Sequence, residues 1–326
     1  MASSSRPRVL ATRRWPDAAE QRLAAHFDVV RNDSDIPLSR DDLARAMREF
    51  DAIAPTITDR IDAAMIEQPD RRAKIVASFG VGFEHIDVAA AKRAGLVVTN
   101  TPGVLTDATA DLALTLLLMG ARRAGEGERE LRAGKWIGWR PTHLLGHELR
   151  GRTLGLVGFG RIGQATAQRA FHGFGMKIAY FARREAPPEV AGPLDATWFP
   201  AMDDLLAASD FVSLHVPGGA ETRHLIDAAA LATMQSHAIL INTARGDVVD
   251  EAALVAALRS GTIAGAALDV YQGEPNVSAD LIALDNIVLL PHLGSATNET
   301  RNAMGFKVVD NLAAWFGGIA PPDRIA

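Results

Sequence analysis

Hydrophobic positions along the chain form short apolar runs, which alternate with longer stretches in which apolar residues recur at helical spacing. In the first hundred residues the runs at 9–12, 28–31, 52–55, 75–78 and 97–100 predict strands. The intervening stretches at 17–27, 40–50, 59–68 and 88–94 predict helices. Because parallel strands need a crossover connection, this alternation predicts an α/β unit with a parallel sheet.

A second series of strands and helices follows from residue 153 onward. Its predicted strands are 153–157, 177–181, 211–214, 239–242, 265–269 and 287–290, and its predicted helices are 162–170, 202–208, 228–233 and 251–260. One long helix, 299–315, remains after the last strand and is expected to pack on the first unit. The pattern predicts an α/β fold of two doubly wound parallel-sheet domains. We place one at residues 1–101 plus 292–326 and the other, inserted into it, at residues 102–291.

A glycine-rich turn joins the strand 153–157 to the following helix. Gly158, Gly160 and Gly163 have the spacing G-x-G-x-x-G. Such glycines permit a tight turn, close approach of the backbone to a pyrophosphate, and close packing of helix on sheet. A turn that binds nothing is the alternative, but the order strand, turn, helix favours dinucleotide binding. The inserted domain is therefore predicted to be Rossmann-like. For the surrounding doubly wound domain we predict a flavodoxin-like fold.

Three polar residues follow successive predicted strands of the inserted domain. They are Arg245, Glu274 and His292. Open α/β sheets bind ligands beyond the carboxyl ends of their strands, so these residues can converge on a cofactor, in a cleft between the two domains. A guanidinium can pair with the carboxylate of a 2-oxo acid, and a histidine can protonate its carbonyl oxygen. A carboxylate beside the histidine fixes its tautomer and favours the imidazolium. Singly, each of the three could equally be a structural residue.

Composition excludes several classes of protein. The chain has 326 residues, 48% of them hydrophobic, and a net charge of -5, so a nucleic-acid partner is not expected. It has no cysteine, which excludes disulfides and thiolate catalysis, and we expect no metal site. Residues 1–8 lack an apolar segment of signal-peptide length, and the most apolar run, 112–119, is too short to span a bilayer. We expect a cytoplasmic protein without a membrane partner.

Several motifs resemble the D-specific 2-hydroxyacid dehydrogenase family. Besides the glycine turn they are FGVGFEHID (79–87), TNTPG (99–103), TADLA (109–113), INTARGD (241–247), ALDV (267–270) and HLGSA (292–296). The resemblance implies that Arg245 binds the substrate carboxylate, that His292 is the acid/base, and that Glu274 is its partner. It also implies that backbone N–H groups around Val81 and Gly82 hold the carboxylate, and that Asp269 meets the nicotinamide carboxamide. The expected cofactor contacts are Thr106, Gly158, Gly160, Arg161, Ile162, Gly163, Arg183, Arg184, Pro217, Thr243 and Asp269.

Within that family the segment KWIGWRP (135–141) is similar to the glyoxylate/hydroxypyruvate reductase branch. There Trp139 is expected to reach the active site of a partner subunit in a homodimer; alternatively, Trp136 and Trp139 only pack the dimer interface. Related formate dehydrogenases carry glutamine at the position of Glu274, which argues against formate. The expected activity is reduction of glyoxylate or hydroxypyruvate to the D-2-hydroxy acid. The alternatives are reduction of a larger 2-oxo acid, such as a keto-sugar acid, and a non-catalytic NAD(P)-sensing protein similar to a corepressor.

The end of the second strand of the inserted domain bears on which nicotinamide cofactor binds. An NAD-selective site places an acidic residue there to bond the ribose 2′-hydroxyl. Here the strand ends in Ala-Arg183-Arg184, and the first acid is Glu185. Either arginine could hold a 2′-phosphate through charge-assisted hydrogen bonds. One alternative is that the arginines lie in a solvated loop and give no preference for either cofactor; another is that Glu185 is the acidic residue of an NAD site. We favour NADP(H) over NAD(H).

Overall fold

The computed structural model describes residues 6–326, which divide into two compact units. The first unit comprises the chain up to Leu105 together with Ser295–Ala326. The second is the continuous segment Thr106–Gly294, which interrupts the first in sequence. The divisions fall a few residues beyond each boundary drawn from the sequence, and His292 belongs to the second unit.

The first unit is a five-stranded parallel sheet in the order β2-β1-β3-β4-β5, which is the doubly wound order of flavodoxin-like folds. The two inner strands after β1 have the sequences AIA and IVA and are buried on both faces, as parallel strands covered by helices require. The strands are β1 (Arg8–Ala11), β2 (Asp28–Arg31), β3 (Ala52–Ala54), β4 (Ile75–Ala77) and β5 (Val97–Thr99). The helices between them are α1 (Asp17–His26), α2 (Arg40–Glu49), α3 (Ala63–Ile66) and α4 (Val88–Arg93).

Helix α3 is much shorter than the predicted helix 59–68, and buried side chains explain why. Asp59 is 1% exposed, and its Oδ2 accepts a hydrogen bond from Thr12 Oγ1 at 2.5 Å. That contact turns Asp59 toward β1 and keeps residues 59–62 out of the helix. The helix begins only after Asp62, whose side chain caps it.

The second unit is a seven-stranded parallel sheet in the order β12-β11-β10-β9-β6-β7-β8. The chain starts at the centre with β6, builds outward through β7 and β8, and then crosses to β9, so β6 and β9 flank the switch point of a Rossmann-like sheet. The strands are β6 (Thr153–Val157), β7 (Lys177–Phe181), β8 (Thr197–Phe199), β9 (Phe211–Leu214), β10 (Ile239–Asn242), β11 (Gly265–Leu268) and β12 (Ile287–Leu289). The two parallel-sheet α/β domains confirm the predicted fold class.

Three helices of the second unit were not predicted, because they are short or mostly polar: Ala124–Arg132, Pro188–Ala191 and Ala279–Ile282. Strand β8 was not predicted either, and the apolar run 112–119 is part of a longer helix, Thr106–Ala121. The helices are α5 (Thr106–Ala121), α6 (Ala124–Arg132), α7 (Arg161–Phe174), α8 (Pro188–Ala191), α9 (Met202–Ala208), α10 (Ala228–Thr233), α11 (Glu251–Ser260) and α12 (Ala279–Ile282); single 3₁₀ turns lie at Gly192–Leu194 and Gly246–Val248.

The chain returns to the first unit through the long helix α13 (Asn298–Phe316). This helix packs on α1, where a Cβ at Gly305 would overlap the Cβ of Ala19, and it buries Val308 and Leu312. The expectation that this helix joins the first unit is therefore met. No helix within residues 6–326 is long and apolar enough to cross a membrane.

Candidate active site

The carboxyl ends of five neighbouring strands in the second unit are aligned along one edge of its sheet. Val157 of β6 pairs with Leu214 of β9, Leu214 with Asn242 of β10, Asn242 with Leu268 of β11, and Leu268 with Leu289 of β12. The loops that follow these strands therefore start from the same edge. Ligands of open parallel sheets bind at this edge, and the predicted residues Arg245, Asp269, Glu274 and His292 lie on its loops.

His292 and Glu274 form a hydrogen-bonded pair at this edge. His292 Nδ1 lies 2.8 Å from Glu274 Oε2, and the two side chains are 30% and 29% exposed. Burial opposes the ionisation of Glu274. However, the hydrogen bond and charge of His292, the N–H of Tyr271 and the charge of Arg245 outweigh burial and lower the Glu274 pKa. Glu274 is thus an ionised partner for the imidazole.

Asp269 holds the loop that carries His292. It is 1% exposed, its Oδ1 accepts the N–H of Leu293 at 2.7 Å, and its Oδ2 accepts the N–H of Gly294 at 2.8 Å. Burial raises the pKa of Asp269, and these N–H groups and His292 limit the rise. His292 itself has φ of 54°, a left-handed backbone that surrounding contacts must maintain. Sequence reasoning missed this role of Asp269; its contact with the nicotinamide remains a prediction.

Arg245 leaves the carboxyl end of β10 in a loop held by a buried asparagine. Asn242 Nδ2 donates to the carbonyl of Arg245 at 2.8 Å, and Asn242 Oδ1 accepts the N–H of Ala244 at 2.9 Å. The guanidinium donates to the Ala244 carbonyl at 2.6 Å. The Arg245 charge, after His292 and the Tyr271 N–H, helps to lower the pKa of Glu274. The structure therefore brings the three predicted residues to one edge, and Asn242 is a supporting residue that the sequence analysis did not single out.

The glycine turn has the geometry that a dinucleotide requires. Gly158 has φ of 97°, and a Cβ there would lie 2.5 Å from the carbonyl oxygen of His215. A Cβ on Gly163 would overlap the carbonyl oxygen of Gly158. Gly160 is the N-cap of α7, makes no side-chain cap, and faces open space where its Cβ would be. The helix N-terminus is thus open to an anion, and the residues fit a pyrophosphate.

The other predicted cofactor residues of the second unit lie on the same edge or near it. Arg161 and Ile162 form the first turn of α7, and Thr106 begins α5. Thr243 directly follows β10, and its buried Oγ1 has no hydrogen-bond partner within the described part of the chain. Pro217 follows β9, and its carbonyl accepts from Thr222 Oγ1 at 2.7 Å. An unpaired buried hydroxyl at a binding edge is a position that a ligand group can satisfy.

The paired arginines follow β7, the strand next to the glycine turn. Arg183 is 92% exposed, and its Nη1 lies 3.8 Å from the carboxylate of Glu221. Arg184 and Glu185 are also exposed. A pair this far apart and this exposed contributes little stability, so the guanidinium can move to another anion.

The remaining predicted residues lie elsewhere in the chain. Val81 and Gly82 are in the loop after β4 of the first unit, where the Val81 carbonyl accepts from Asn100 Nδ2 at 2.7 Å. Trp136 and Trp139 follow α6 in the second unit, with exposed fractions of 51% and 83%. Neither tryptophan contributes to the core of its own unit.

The comparison with known families agrees with this geometry. Residues 114–294 match the family described as D-isomer specific 2-hydroxyacid dehydrogenase, NAD binding domain. The chain belongs to the D-isomer specific 2-hydroxyacid dehydrogenases. The predicted family and its oxidoreductase class are thereby confirmed, and the glycine turn is part of an NAD-binding domain.

Relatives in this family are similar to the chain over nearly its whole length. Glyoxylate reductase of Thermococcus onnurineus is 46% identical over 324 residues, which cover 98% of this chain and 96% of that protein. The structure of an NADPH-dependent glyoxylate/hydroxypyruvate reductase from Sinorhizobium meliloti, in complex with NADP and malonate, aligns with a TM-score of 0.85 at 40% identity, covering 99% of this chain and 97% of the other. The structure of a protein from Thermus thermophilus aligns with a TM-score of 0.89 at 44% identity, covering 98% and 100%. The two relatives named as glyoxylate reductases support 2-oxo acid reduction.

Proposed function

We propose that this chain is an NADPH-dependent reductase of small 2-oxo acids, with glyoxylate and hydroxypyruvate as substrates and the D-2-hydroxy acid as product where the product is chiral. The observation that carries the proposal is the His292–Glu274 hydrogen bond at the edge of the sheet that also bears the glycine turn. The names of the Thermococcus and Sinorhizobium relatives support this substrate class.

The chemistry divides between the cofactor and the side chains. A nicotinamide cofactor held at the glycine turn would supply hydride to the carbonyl carbon of the 2-oxo acid. His292 supplies the proton for the carbonyl oxygen. Since its Nδ1 is engaged by Glu274 at 2.8 Å, Nε2 is the nitrogen left to donate. Ionised Glu274 fixes that tautomer and favours the imidazolium before transfer.

Arg245 is proposed to bind the substrate carboxylate. Its loop is fixed by Asn242, so the guanidinium starts from a defined backbone position. A planar guanidinium pairs with a carboxylate through two parallel hydrogen bonds, which also sets the orientation of the carbonyl beside His292. By resemblance, backbone N–H groups around Val81 and Gly82 assist.

The preference for NADPH is proposed to come from Arg183 and Arg184. In a panel of 2-oxo acids assayed with NADPH and NADH, we expect turnover of glyoxylate and hydroxypyruvate to be most efficient with NADPH. Replacing Arg183 or Arg184 with Gln is expected to raise the KM for NADPH about tenfold, because one charge-assisted bond to the 2′-phosphate is lost, and to leave the KM for NADH unchanged.

Arg150 provides the matched control, since it is an exposed arginine of the same unit. Arg150→Gln should leave both KM values as in the wild type. A wild-type preference for NADH would refute the arginine assignment. Faster turnover of a larger 2-oxo acid would replace the substrate assignment, and tight NADPH binding without oxidation by any member of the panel would favour a sensing protein.

We propose that the chain forms a homodimer through the exposed segment 131–145. Half of the ten exposed large hydrophobic residues within the described range lie in this segment. Apolar side chains concentrated in this way are typical of an interface, and aromatic residues are enriched there. The five are Leu131, Trp136, Ile137, Trp139 and Leu145, with exposed fractions from 51% to 83%.

Sedimentation is expected to give about twice the 34.8 kDa mass of one chain. Ile137→Ser combined with Trp139→Ser should shift the equilibrium toward single chains, because both side chains would lose buried apolar area. Ile319→Ser is the control, since Ile319 is 67% exposed in the first unit. A double variant that sediments like the wild type would contradict this interface. A raised KM for glyoxylate in Trp139→Ser at concentrations where it remains dimeric would place Trp139 at the substrate, as the resemblance implies.

A further inference from the structure

Glu251 begins helix α11, but its side chain serves a neighbouring loop. The helix is already capped by Asp250, whose Oδ1 accepts the N–H of Ala253 at 3.1 Å. Glu251 Oε1 instead accepts the backbone N–H of Gln272, in the loop after β11. Glu251 is only partly exposed. The carboxylate therefore ties the start of α11 to the loop that leads to Glu274.

Two carboxylates bind consecutive N–H groups of this loop. Glu274 Oε1 accepts the N–H of Tyr271 at 2.9 Å, and Glu251 accepts the next one, that of Gln272. The other oxygen of Glu274 holds His292. A continuous chain of hydrogen bonds and one short turn therefore links Glu251 to the proton donor.

The turn is also fixed from its other sides. Tyr271 is 7% exposed and donates its hydroxyl to the Leu290 carbonyl at 2.7 Å. A Cβ at Gly246 would overlap the carbonyl of Tyr271, so the Arg245–Gly246 loop packs directly on this peptide. The side-chain amide of Gln272 lies 2.6 Å from His224 Nε2. Little room is left for the turn to move unless one of these contacts is lost.

Charge adds to this geometry. Burial raises the pKa of Glu251, and the nearby Glu274 raises it further, while the Gln272 N–H opposes the rise. Two carboxylates this close disfavour each other's ionisation and favour a cation beside them. The other titratable and charged groups around Glu251 and the His292–Glu274 pair are Arg245, Asp269, Tyr271, His224 and Asp250.

We infer that Glu251 is a positioning residue for the His292–Glu274 pair, which it supports by holding the turn 271–274 and by adding negative charge next to Glu274, the partner of the imidazolium. The inference rests on the proposed reductase function, in which protonated His292 is the reactive form. It assigns Glu251 no contact with substrate or cofactor.

The test compares Glu251→Gln with Glu251→Ala. Glutamine keeps an acceptor for the Gln272 N–H but removes the charge, so Glu251→Gln should keep kcat within about threefold on its low-pH plateau. Its kcat/KM profile for reduction should move toward acid by roughly half a pH unit, because removal of a nearby negative charge favours the neutral imidazole. Alanine also removes the acceptor, and kcat should fall about tenfold. Glu274→Gln serves as the reference for the size of the shift. Because Glu274 contacts His292 directly, its kcat/KM profile should move further toward acid.

Glu189→Gln is the control, since Glu189 is an exposed glutamate of the same unit. It should leave both the profile and kcat unchanged. The inference is overturned if Glu251→Gln and Glu189→Gln have the same profile, or if Glu251→Ala keeps full kcat. NMR titration of the His292 imidazole, assigned with His292→Asn, needs no substrate. If the midpoint of the His292 titration is lower in Glu251→Gln than in wild type, the electrostatic part of the inference is supported. That support holds even if the protein turns over no 2-oxo acid, and the absence of turnover would refute only the proposed function.

Discussion

His292→Asn is expected to lower kcat for glyoxylate reduction about 10³-fold, since a positioned general acid contributes roughly 10²–10⁴-fold to such a step. Asparagine cannot deliver a proton from the position of Nε2. It does tolerate the left-handed backbone at this position, where φ is 54°. The variant therefore removes the proton donor without forcing the loop to rearrange.

The measurement is steady-state NADPH oxidation together with calorimetric titration of NADPH. Binding of NADPH should stay within about twofold of wild type, because the proposed cofactor contacts come from the glycine turn and its neighbours. His172→Gln is the control, since His172 is an exposed histidine on α7 of the same unit. If His172→Gln were normal and His292→Asn lost less than about tenfold, His292 would not be the proton donor.

The sheet and its binding edge could be predicted because parallel strands read as short apolar runs and end where polar residues begin. Arg245, Glu274 and His292 each follow such a run, and the paired strands bring those run ends into line. Helix α3 could not be predicted at its true length. Its start depends on Asp59 bonding to Thr12, a residue 47 positions away.

The supporting residues could not be predicted for the same physical reason. Asn242 and Glu251 act through backbone N–H and carbonyl groups, which have no sequence signature. Asp269 was expected to meet the cofactor, which stays a prediction, and the structure shows a further role, in which its two oxygens hold the loop of His292. A sequence indicates which side chains can do chemistry, whereas the groups that fix their positions depend on packing.

Arg245→Lys is expected to lower kcat/KM for glyoxylate about 10²-fold, chiefly through KM, because an ammonium keeps the charge but loses the paired hydrogen bonds of the guanidinium. Arg259→Lys is the control, since Arg259 is an exposed arginine in the last turn of α11. Rates of NADPH oxidation measured at saturating and at subsaturating glyoxylate separate the effect on kcat from the effect on KM.

A substrate without the carboxylate charge makes this test specific for the proposed pairing of Arg245 with the substrate carboxylate. The methyl ester of glyoxylate cannot pair with a guanidinium, so the wild type should prefer glyoxylate strongly, and Arg245→Lys should lose most of that preference. The charge of Arg245 also acts on Glu274. If the substitution disturbed only the His292–Glu274 pair, reduction of glyoxylate and of its methyl ester would therefore slow equally. A group that binds the substrate carboxylate distinguishes the acid from its ester, whereas the His292–Glu274 pair does not. If Arg245→Lys reduces both substrates more slowly and keeps the full preference for the acid, Arg245 acts on the His292–Glu274 pair and not on the substrate carboxylate.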